Sequence, residues 1–356
     1  MSTLKCDVLV VGAGPAGASA AYFIKEFDKD NLITVELVEK LDEDNYSKYH
    51  DMCGEAVSKH LLNELTPLEP GGIVEEIKLI KDYWPGDIEI DTKVEGYILN
   101  RAQFLRSIVE EFKKKGGEFK NKVVKAINQS DKKVKVKFED EIRDYDYVIA
   151  ADGANSLIRS NLGIKGKVRY FVQYIVDKEP EHGTLMFYYD EKYDGDYMWI
   201  FPHGDKTKVG YPLIKGRIFK PKEKILVKQS RAIGYGGINK YVHGRILLVG
   251  DAACQTNAIT KGGIRPGMLA GKLAAKAIIN ENPLQYENEW LKTDFSSKIF
   301  IEAFEQLTQM NNDELSKHIK LFIKGASWLT QIKCLLFYRK YLKLYKAYDL
   351  SNKVGW

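Results

Sequence analysis

The sequence predicts an α/β protein in which a dinucleotide-binding unit is interleaved with an antiparallel sheet and followed by a C-terminal helical segment. Three observations predict this architecture. A glycine-rich turn lies between an apolar strand and a helix near the N-terminus, short β-rich runs fill residues 168–216, and a helical pattern occupies the end of the chain. The 356 residues, 44% of them hydrophobic, can form two domains with a sizeable core.

Charge and cysteine spacing exclude several classes of protein. Net charge is only +5, from 54 basic and 49 acidic side chains, so we expect no nucleic-acid partner. The cysteines, Cys6, Cys53, Cys254 and Cys334, have no metal-binding spacing, so we expect no metal site and a reducing, cytoplasmic setting. No apolar run reaches the ~18 residues of a membrane span.

The first element is the strand "CDVLVV", followed by the turn "GAGPAG" and a helix. Gly12 allows the tight turn, Gly14 lets a pyrophosphate approach the backbone, and Gly17 lets the helix pack on the strand. Ala16 lies in the first helical turn and is expected to contact the same cofactor. The pattern alone is weak evidence, because a glycine-rich turn can be only a turn.

A second apolar strand, "NLITVELVE", ends at Glu39, where a carboxylate receives the ribose hydroxyls of a dinucleotide. The separation from Gly12 exceeds the usual ~20 residues, and the polar insert at 28–31 absorbs the excess. An acidic residue here disfavours a 2′-phosphate. The alternative is a solvated glutamate at a strand end.

The later elements alternate between the two units. A helix begins at about Arg101 and stops near Gly116, a β meander and a separate antiparallel sheet follow, and "HGRILLVGDAA" returns to a buried parallel strand before a further helix. We therefore expect discontinuous domains: a nucleotide-binding domain of residues 1–75, 101–165 and 236–285, a substrate-binding sheet domain of 76–100 and 166–235, and a helical region of 286–356.

Two later stretches distinguish a flavin from a nicotinamide. "DYVIAADGANSLIR", with Asp152 and Gly153, resembles the Asp-Gly motif of the flavoprotein hydroxylase superfamily, and "RILLVGDAACQTNAITKGGI" resembles its second FAD motif. The resemblance implies a Rossmann-like FAD-binding domain in which Asp251 meets the ribityl chain and backbone near Gly263 and Ile264 meets the flavin ring.

Two positions depart from that second motif. Ala258 stands where the superfamily usually has proline, and Lys261 where it usually has glycine. A cation beside the flavin ring would favour the anionic reduced flavin, so we expect ring placement or potential to differ from the hydroxylases.

One branch of the superfamily is closest. "YMWIFP" resembles the Y-x-W-x-F-P signature of the geranylgeranyl reductase family, and Cys53 and Gly54 fall where that family places a cysteine near the flavin. By the same resemblance Arg101 is an FAD contact and Val124 meets the adenine. The family reduces isoprenoid double bonds in archaeal membrane lipids, chlorophyll side chains or quinone tails.

The residues of "YMWIFP" agree with a binding wall for a prenyl chain. In a strand, Tyr197, Trp199 and Phe201 point to one face and Pro202 follows them. From the residues alone, an ordinary sheet core is an equal reading. The family resemblance favours the wall.

Cys53 has three possible roles. Reduction of an alkene needs a hydride from reduced flavin N5 and a proton, and a thiol is protonated at neutral pH and could donate it. The alternatives are a small buried hydrophobe and a flavin-positioning contact. A disulfide with Cys254 is a further alternative, whereas Cys6 and Cys334 are interpreted as packing residues.

The C-terminal stretch "FYRKYLKLYKAY" predicts a basic amphipathic helix. Its apolar side comprises Phe337, Tyr338, Tyr341, Leu342, Leu344, Tyr345 and Tyr348. Such a helix suits an anionic membrane surface, and equally a helix docked on the body with a solvated basic face. Both alternatives stay open, so localisation is cytoplasmic with peripheral contact at the inner membrane face as one option.

The sequence thus predicts an FAD-dependent reductase that saturates carbon–carbon double bonds of a geranylgeranyl-type chain in a lipid or prenylquinone. The alternatives are an aromatic hydroxylase and a non-catalytic prenyl-binding or escort protein. An electron carrier to quinone is disfavoured, since the cysteines lack iron–sulfur spacing. No second G-x-G-x-x-G follows a strand, so the electron donor, NAD(P)H or a ferredoxin-like partner, is undetermined.

Overall fold

A computed structural model of the protein describes residues 6–323 and 339–355. The predicted mixture of a parallel sheet, an antiparallel sheet and a C-terminal helical segment is confirmed. Short 3-10 turns lie at Glu191–Tyr193, Gly250–Ala253, Asp294–Ser296 and Arg339–Tyr341. The described helices are α1 Pro15–Phe27, α2 Glu43–Asp51, α3 His60–Leu65, α4 Arg101–Lys114, α5 Leu157–Asn161, α6 Ile264–Ile279, α7 Pro283–Trp290, α8 Ile299–Leu307, α9 Asn312–Ile323 and α10 Leu342–Val354.

The strands form three sheets. They are β1 Cys6–Val11, β2 Ile33–Glu39, β3 Ala56–Ser58, β4 Ile73–Trp84, β5 Ile88–Leu99, β6 Glu118–Asn121, β7 Ala126–Gln129, β8 Val134–Lys137, β9 Ile142–Tyr145, β10 Tyr147–Ala150, β11 Lys167–Val176, β12 Thr184–Tyr189, β13 Tyr197–His203, β14 Lys206–Pro212, β15 Ile225–Tyr235, β16 Val242–His243 and β17 Ile246–Leu248.

The first sheet has the order β16-β17-β10-β1-β2-β6 and is parallel except for the β16–β17 pair. Val8, Leu9 and Val10 are fully buried because helices cover both faces of a parallel sheet. Helices α1 and α6 cross closely at Gly271, where a Cβ would lie 2.2 Å from the carbonyl oxygen of Ala16. The turn after β1 is thereby fixed at the carboxyl edge of the sheet, where open α/β sheets bind ligands.

The second sheet has the order β15-β11-β14-β13-β12-β4-β5-β3. It is antiparallel except for the parallel β12–β4 pair. Its strands come from separate parts of the chain, between elements of the first sheet, as an interleaved arrangement requires. A small third sheet, β7-β8-β9, lies in the predicted meander, but the last strand predicted for that meander, "YDYVIAADG", forms β10 of the first sheet instead.

The C-terminal helices pack on β4 and β5, and the described part of the predicted amphipathic tail is docked there. Tyr341 and Leu344 are buried in this cluster, and Tyr345 packs on its edge. Lys343 on the outer side is 2.6 Å from Glu302. The docked-helix alternative therefore holds for residues 339–355, while Phe337, Tyr338 and Cys334 lie outside the described residues.

Within residues 6–323 and 339–355, none of the helices combines the length and the apolar character that crossing a bilayer requires.

Candidate active site

One cavity of about 660 Å³ extends from the glycine turn after β1 to the face of the second sheet. Most of the predicted site residues line it together. They are Gly12, Gly14, Ala16, Glu39, Cys53, Gly54, Arg101, Val124, Asp152, Gly153, Tyr197, Trp199, Phe201, Asp251, Gly263 and Ile264. Gly17 and Pro202 are not among the lining residues.

The three glycines of the turn are required for different reasons. Gly12 has a φ of +98°, and a Cβ there would lie 2.4 Å from the carbonyl oxygen of Ala151. A Cβ on Gly17 would lie 1.8 Å from the carbonyl oxygen of Gly12, so Gly17 serves helix packing. A Cβ on Gly14 would meet only His50, at 3.9 Å. The protein's own packing thus leaves space beside Gly14, as a ligand-approach position needs.

The N-terminus of α1 faces this space without a capping side chain. Gly14 is its N-cap residue, Pro15 is its first residue, and no acidic side chain lies in its first turn. Backbone N–H groups and the helix dipole therefore form a site suited to an anion such as a pyrophosphate.

Glu39 is buried beside the turn and held by backbone. Its Oε2 accepts a hydrogen bond of 2.9 Å from the amide of Ala13, and its Oε1 accepts one of 3.0 Å from Leu41. Each carboxylate oxygen can accept a second hydrogen bond. The geometry fits a carboxylate that receives ribose hydroxyls while it is locked in orientation.

Two further aspartates supply acceptors at the carboxyl edge. Asp152 Oδ2 accepts a 3.1 Å bond from the amide of Ile158, whereas its buried Oδ1 has no partner among the described residues. Asp251 Oδ1 accepts a 2.8 Å bond from the hydroxyl of Thr256. Burial raises the pKa of both carboxyls, and Arg231 opposes the rise at Asp251. The unpartnered Asp152 oxygen in a cavity wall fits a donor from a bound cofactor.

The segment that contains Cys53 follows α2 and is clamped onto the second sheet by a buried lysine. Lys208 on β14 has no exposed side-chain surface, and its Nζ lies 3.0 Å from Asp51 Oδ1 and 2.5 Å from Glu55 Oε2. These two acids bracket Cys53 in the sequence. We call Asp51, Glu55 and Lys208 the lysine clamp.

The lysine clamp also joins the unit built on the first sheet to the second sheet. Glu55 Oε1 accepts a 2.9 Å bond from the amide of Arg101 at the start of α4, so one carboxylate links a helix of the first unit to a strand of the second. Burial raises the pKa of Glu55, and Lys208 opposes the rise. Burial also acts to raise the pKa of Asp51, but the charge and hydrogen bond of Lys208 and the hydrogen bond of Gln229 outweigh it. The pKa of Asp51 is therefore lowered.

Asp51, Glu55 and His203 lie close enough to share a cation. The ammonium group of Lys208 already lies between the two carboxylates and offsets part of their negative charge. Lysine therefore takes the place that a metal ion would need.

Sequence reasoning missed Lys208, Glu55 and Arg231. Arg231 on β15 lines the cavity, lies 4.9 Å above the ring of Tyr49, and interacts with the charge of Asp251. The sequence offered one sign of this role, since Gln229 and Arg231 are two residues apart and therefore lie on the same face of β15. Polar residues at this spacing are equally typical of an exposed strand, so the sign was not specific. Arg231 is half-buried and places a positive charge near Cys53 in the cavity.

We expected Lys261 to place a cation beside the flavin ring, but its side chain forms an ion pair within the protein. Its φ of +53° explains why glycine suits this position. Its Nζ lies 3.0 Å from Asp196 Oδ1 and 3.5 Å from the centre of the Phe304 ring. Burial lowers the pKa of Lys261 and Asp196 opposes this. The charge of Lys261 is paired with a buried carboxylate, and the cations whose charge acts on Cys53 and Asp251 are Arg231 and the buried Arg101.

Cys53, Cys6 and Cys254 are all free, so the described chain contains no disulfide between Cys53 and Cys254. Cys254 is buried, and burial raises its pKa to about 11. Cys53 lies at the cavity surface, and its amide donates to the carbonyl of Asp51 at 2.8 Å.

The aromatic side chains of β13 form a wall of the cavity. Trp199 lies flat on Gly210, where a Cβ would be 1.9 Å from the indole ring. Phe201 packs against Gly54, where a Cβ would be 2.5 Å from the phenyl ring. Tyr197 donates its hydroxyl hydrogen to the carbonyl oxygen of Thr260, which lies within the second FAD-type motif. The wall therefore connects the Cys53 segment and the loop before α6.

Strand β12 and helix α10 also contribute side chains to the aromatic end of the cavity. Phe187 makes edge contacts with Tyr197 at 5.1 Å and with Phe201 at 5.3 Å between ring centres. Helix α10 also reaches the cavity, through Tyr348, Ser351 and Asn352. The cavity thus has a polar end at the glycine turn and an aromatic end closed by the C-terminal helix.

No family model matches the chain. It is 30% identical to digeranylgeranylglycerophospholipid reductase 2 of Methanopyrus kandleri, over 88% of this chain and 89% of that protein. It is 29% identical to the digeranylgeranylglycerophospholipid reductase of Methanosarcina acetivorans, over 88% of both chains.

Solved structures share the fold. A geranylgeranyl bacteriochlorophyll reductase-like protein from Thermoplasma acidophilum has a TM-score of 0.78 at 22% identity, covering 97% of this chain and 98% of that one. The p-nitrophenol 4-monooxygenase of Pseudomonas putida has a TM-score of 0.63 at 17% identity, covering 97% and 96%. Reductases and monooxygenases thus share this architecture, and the cavity residues must distinguish them.

Proposed function

The chain belongs to the digeranylgeranylglycerophospholipid reductase family, and we propose that it is an FAD-dependent reductase that saturates carbon–carbon double bonds of a geranylgeranyl-type isoprenoid chain. The membership rests on 30% identity across 88% of the chain. The observation that carries the proposal is the continuity of one cavity, which joins a dinucleotide-type polar end to an aromatic end.

FAD suits the polar end of the cavity. The α1 N-terminus and Gly14 would hold its pyrophosphate, and Glu39 its adenosine ribose, with Arg101 and Val124 alongside. A larger set would hold the remainder of the cofactor: Asp152, Gly153, Asp251, Gly263 and Ile264. When bound and reduced, the flavin supplies the hydride that alkene reduction requires.

The aromatic end suits a hydrocarbon chain. Tyr197, Trp199 and Phe201 present their rings to the cavity and offer apolar contact without hydrogen-bond demands on the ligand. An isoprenoid chain that fills this end also displaces water from the reacting carbons, which limits competing reactions of the reduced cofactor.

Cys53 is proposed to shape the cofactor side of the junction between the two ends. The lysine clamp holds its backbone, and the neighbouring Gly54 packs on Phe201, so the thiol has a fixed place between polar and aromatic walls. Arg231 is proposed to stabilise negative charge on the reduced cofactor from the same junction.

The electrons are proposed to come from an external carrier, NAD(P)H or a ferredoxin-like protein, because the sequence has one dinucleotide-type turn after a strand. The substrate is proposed to be a lipid or a prenylquinone reached by peripheral contact with the membrane. That contact would need a surface other than the apolar side of α10, since this side packs on the body.

The test is anaerobic reduction of the purified, FAD-loaded protein, followed by addition of geranylgeranyl lipids, prenyl diphosphates or prenylquinones. We expect flavin reoxidation and a product that gains hydrogens in steps of two by mass spectrometry. A product that gains oxygen under air would instead support a hydroxylase, and lack of hydrogen gain with every substrate would contradict the proposal.

Two variants of β13 supply a matched control. Trp199→Ala removes a ring from the cavity wall and is expected to weaken lipid binding and slow reoxidation. Ile200→Ala changes the adjacent residue, which packs on the opposite face of the sheet, and is expected to leave lipid binding unchanged. Equal effects of the two variants would contradict the assignment of the wall.

A further inference from the structure

A carboxyl group lies in the aromatic end of the cavity, where the chemistry described so far leaves it without a task. Asp82 on β4 is in register with Phe187 on β12, which is in register with Trp199 on β13. Residues in register point to the same face of a sheet, and all three line the cavity. Asp82 is therefore two strands, or ~10 Å, from Trp199.

The surroundings of Asp82 are aromatic. Its Oδ1 accepts a 3.3 Å hydrogen bond from the hydroxyl of Tyr189, and the ring of Tyr189 stacks on Trp84 with ring centres 3.8 Å apart. Trp84 and Tyr348 line the same part of the cavity. Within the described residues no lysine, arginine or histidine forms an ion pair with Asp82, in contrast to Asp51 and Asp196.

An unpaired carboxyl is unfavourable in a wall that binds hydrocarbon. Burial disfavours its charged form and raises the pKa of Asp82 to about 7. A large fraction of the protein therefore carries the neutral acid near neutral pH. A hydrocarbon ligand gains nothing from this group as a binding contact, so its place in the wall points to a chemical role.

The reaction has a matching demand. An isolated trisubstituted alkene has no electron-withdrawing group, so a hydride alone would leave a carbanion. If a proton is added first to the less substituted carbon, positive charge develops on the tertiary carbon, which then accepts the hydride. An acid with a pKa near the working pH suits such a transfer.

We propose that Asp82 is the acid that protonates the isoprenoid double bond, an inference that rests on the proposed function. The carboxyl O–H bond breaks and the alkene π electrons form a C–H bond with its proton. The tertiary carbon is then set to accept a hydride, which a bound, reduced flavin would supply with its electron pair, giving up two electrons. The carboxylate regains a proton from water when the product leaves.

The aromatic wall supports this order of events. The rings of Phe187, Trp199 and Tyr189 line the same cavity as Asp82 and Cys53. Aromatic faces stabilise positive charge within about 6 Å of the ring centre. Rings that only filled space would be replaceable by aliphatic side chains, whereas stabilisation of a developing cation requires aromatic ones.

The expected pH dependence follows from the groups that face Asp82. These are Tyr189 on β12, Tyr197 on β13, Tyr348 on α10 and, beyond Trp84, His318 on α9. Burial raises the pKa of the three tyrosines above 10 and lowers that of His318 to about 4. Only Asp82 among them titrates near neutrality, so the reaction should slow as pH rises through about 7.

The test compares Asp82→Asn with Asp91→Asn in the FAD-loaded protein. Replacing Asp82 with asparagine keeps the shape of the side chain and removes the acid. Asp91 is the control because it is an exposed residue of β5 on the opposite face of the same sheet. In single-turnover reoxidation by lipid, we expect Asp82→Asn to lose about 10²-fold or more and to retain lipid binding. Asp91→Asn should react at the wild-type rate.

A second measurement does not depend on activity. The infrared carboxylic C=O band of the FAD-free protein should include a component that titrates near pH 7 and is absent from Asp82→Asn. Tyr189→Phe removes the hydrogen bond that favours the carboxylate, so this component and the pH profile of reoxidation should both shift to higher pH.

The outcomes separate the two proposals. If the wild type gains no hydrogens in any lipid, the proposed function fails. If the wild type reduces lipid and Asp82→Asn does so at the same rate, only the role of Asp82 fails, and a loss confined to Cys53→Ser would transfer the proton to the thiol. Absence of the titrating infrared component would also overturn the inference.

Discussion

Lys208→Met is expected to destabilise the protein because it removes the cation of the lysine clamp and keeps most of the side-chain volume. The variant leaves Glu55, 4% exposed, and Asp51, 32% exposed, without their shared ammonium group. At 2.5 Å and an effective dielectric constant of 20, the Glu55 pair has a Coulomb energy of about 7 kcal/mol. Desolvation offsets part of it.

The net loss should resemble that of other broken buried pairs, about 3 to 5 kcal/mol. The Glu55 pair should supply most of it, since water screens the more exposed Asp51. At ~2.1 cal/mol/K per residue, the unfolding entropy of 356 residues is about 0.75 kcal/mol/K, which gives a lowering of Tm by about 4 to 7 °C for cooperative unfolding.

The assay is thermal and denaturant unfolding of the wild type, Lys208→Met and the control Lys206→Met. Lys206 lies on the same strand, and its pair with Asp177 has 34% and 43% exposed side chains, so its loss should change stability by under ~1 kcal/mol. Adding Glu55→Gln to Lys208→Met should recover part of the loss. Equal effects of the two lysine variants would refute the reasoning.

The same variant should acquire a pH dependence. Without the ammonium group, the folded-state pKa values of Asp51 and Glu55 rise above their unfolded values. Stability from such groups is complete below the unfolded pKa and is lost as pH rises through the folded pKa. The deficit of Lys208→Met should therefore be smaller at pH 5 than at pH 8, and a deficit that grew on acidification would contradict this mechanism.

Three other predictions follow from particular contacts. Gly17→Ala should lower the stability of the FAD-free protein, because its Cβ would lie 1.8 Å from a carbonyl oxygen, whereas Gly14→Ala should spare that stability and weaken FAD binding; unfolding and flavin titration distinguish them. His318 is buried and neutral with a pKa of about 4, so the unfolded state binds more protons below pH ~6.5, and stability should fall by about 3 kcal/mol between pH 6.5 and 4. His318→Gln should flatten that profile, and an unchanged slope would exclude His318 as its source. Arg231→Gln should lower the flavin midpoint potential in a spectroelectrochemical titration, and an unchanged potential would place the cation away from the ring.

The glycine turn and the common face of the β13 aromatics could be predicted from the sequence, because spacing along the chain carries both signals. Gly12 and Gly17 are close in the chain, and the alternation of Tyr197, Trp199 and Phe201 fixes a common face in any strand. These features need little information beyond spacing.

The lysine clamp could not be predicted in the same way. Glu55 and Lys208 are 153 residues apart, and "KTKVGYP" places lysines on one face of β14 as an exposed strand would. Asp82 was hidden for a similar reason, since its environment depends on β12 and α10. In both cases the chemistry depends on which distant strands become neighbours.

The C-terminal amphipathic segment and Lys261 show a second limit of prediction from sequence. An amphipathic helix has the same periodicity whether its apolar side meets lipid or protein, so the pattern could not choose between the two. At Lys261 the residue type alone suggested a cation near the flavin, but the backbone angle and Asp196 decide where the charge lies.

The position of α10 after the motif-bearing residues has a consequence for folding during synthesis. Residues 12–264, which carry the FAD-type motifs, leave the ribosome before the helix that contributes Tyr348, Ser351 and Asn352 to the cavity. A nascent chain can therefore form its nucleotide-binding half while the aromatic wall is still open to water. A chain cut before residue 342 would keep the glycine turn and Glu39 but would lack the helix that covers the aromatic end of the cavity, so we expect its exposed rings to make it aggregate more readily.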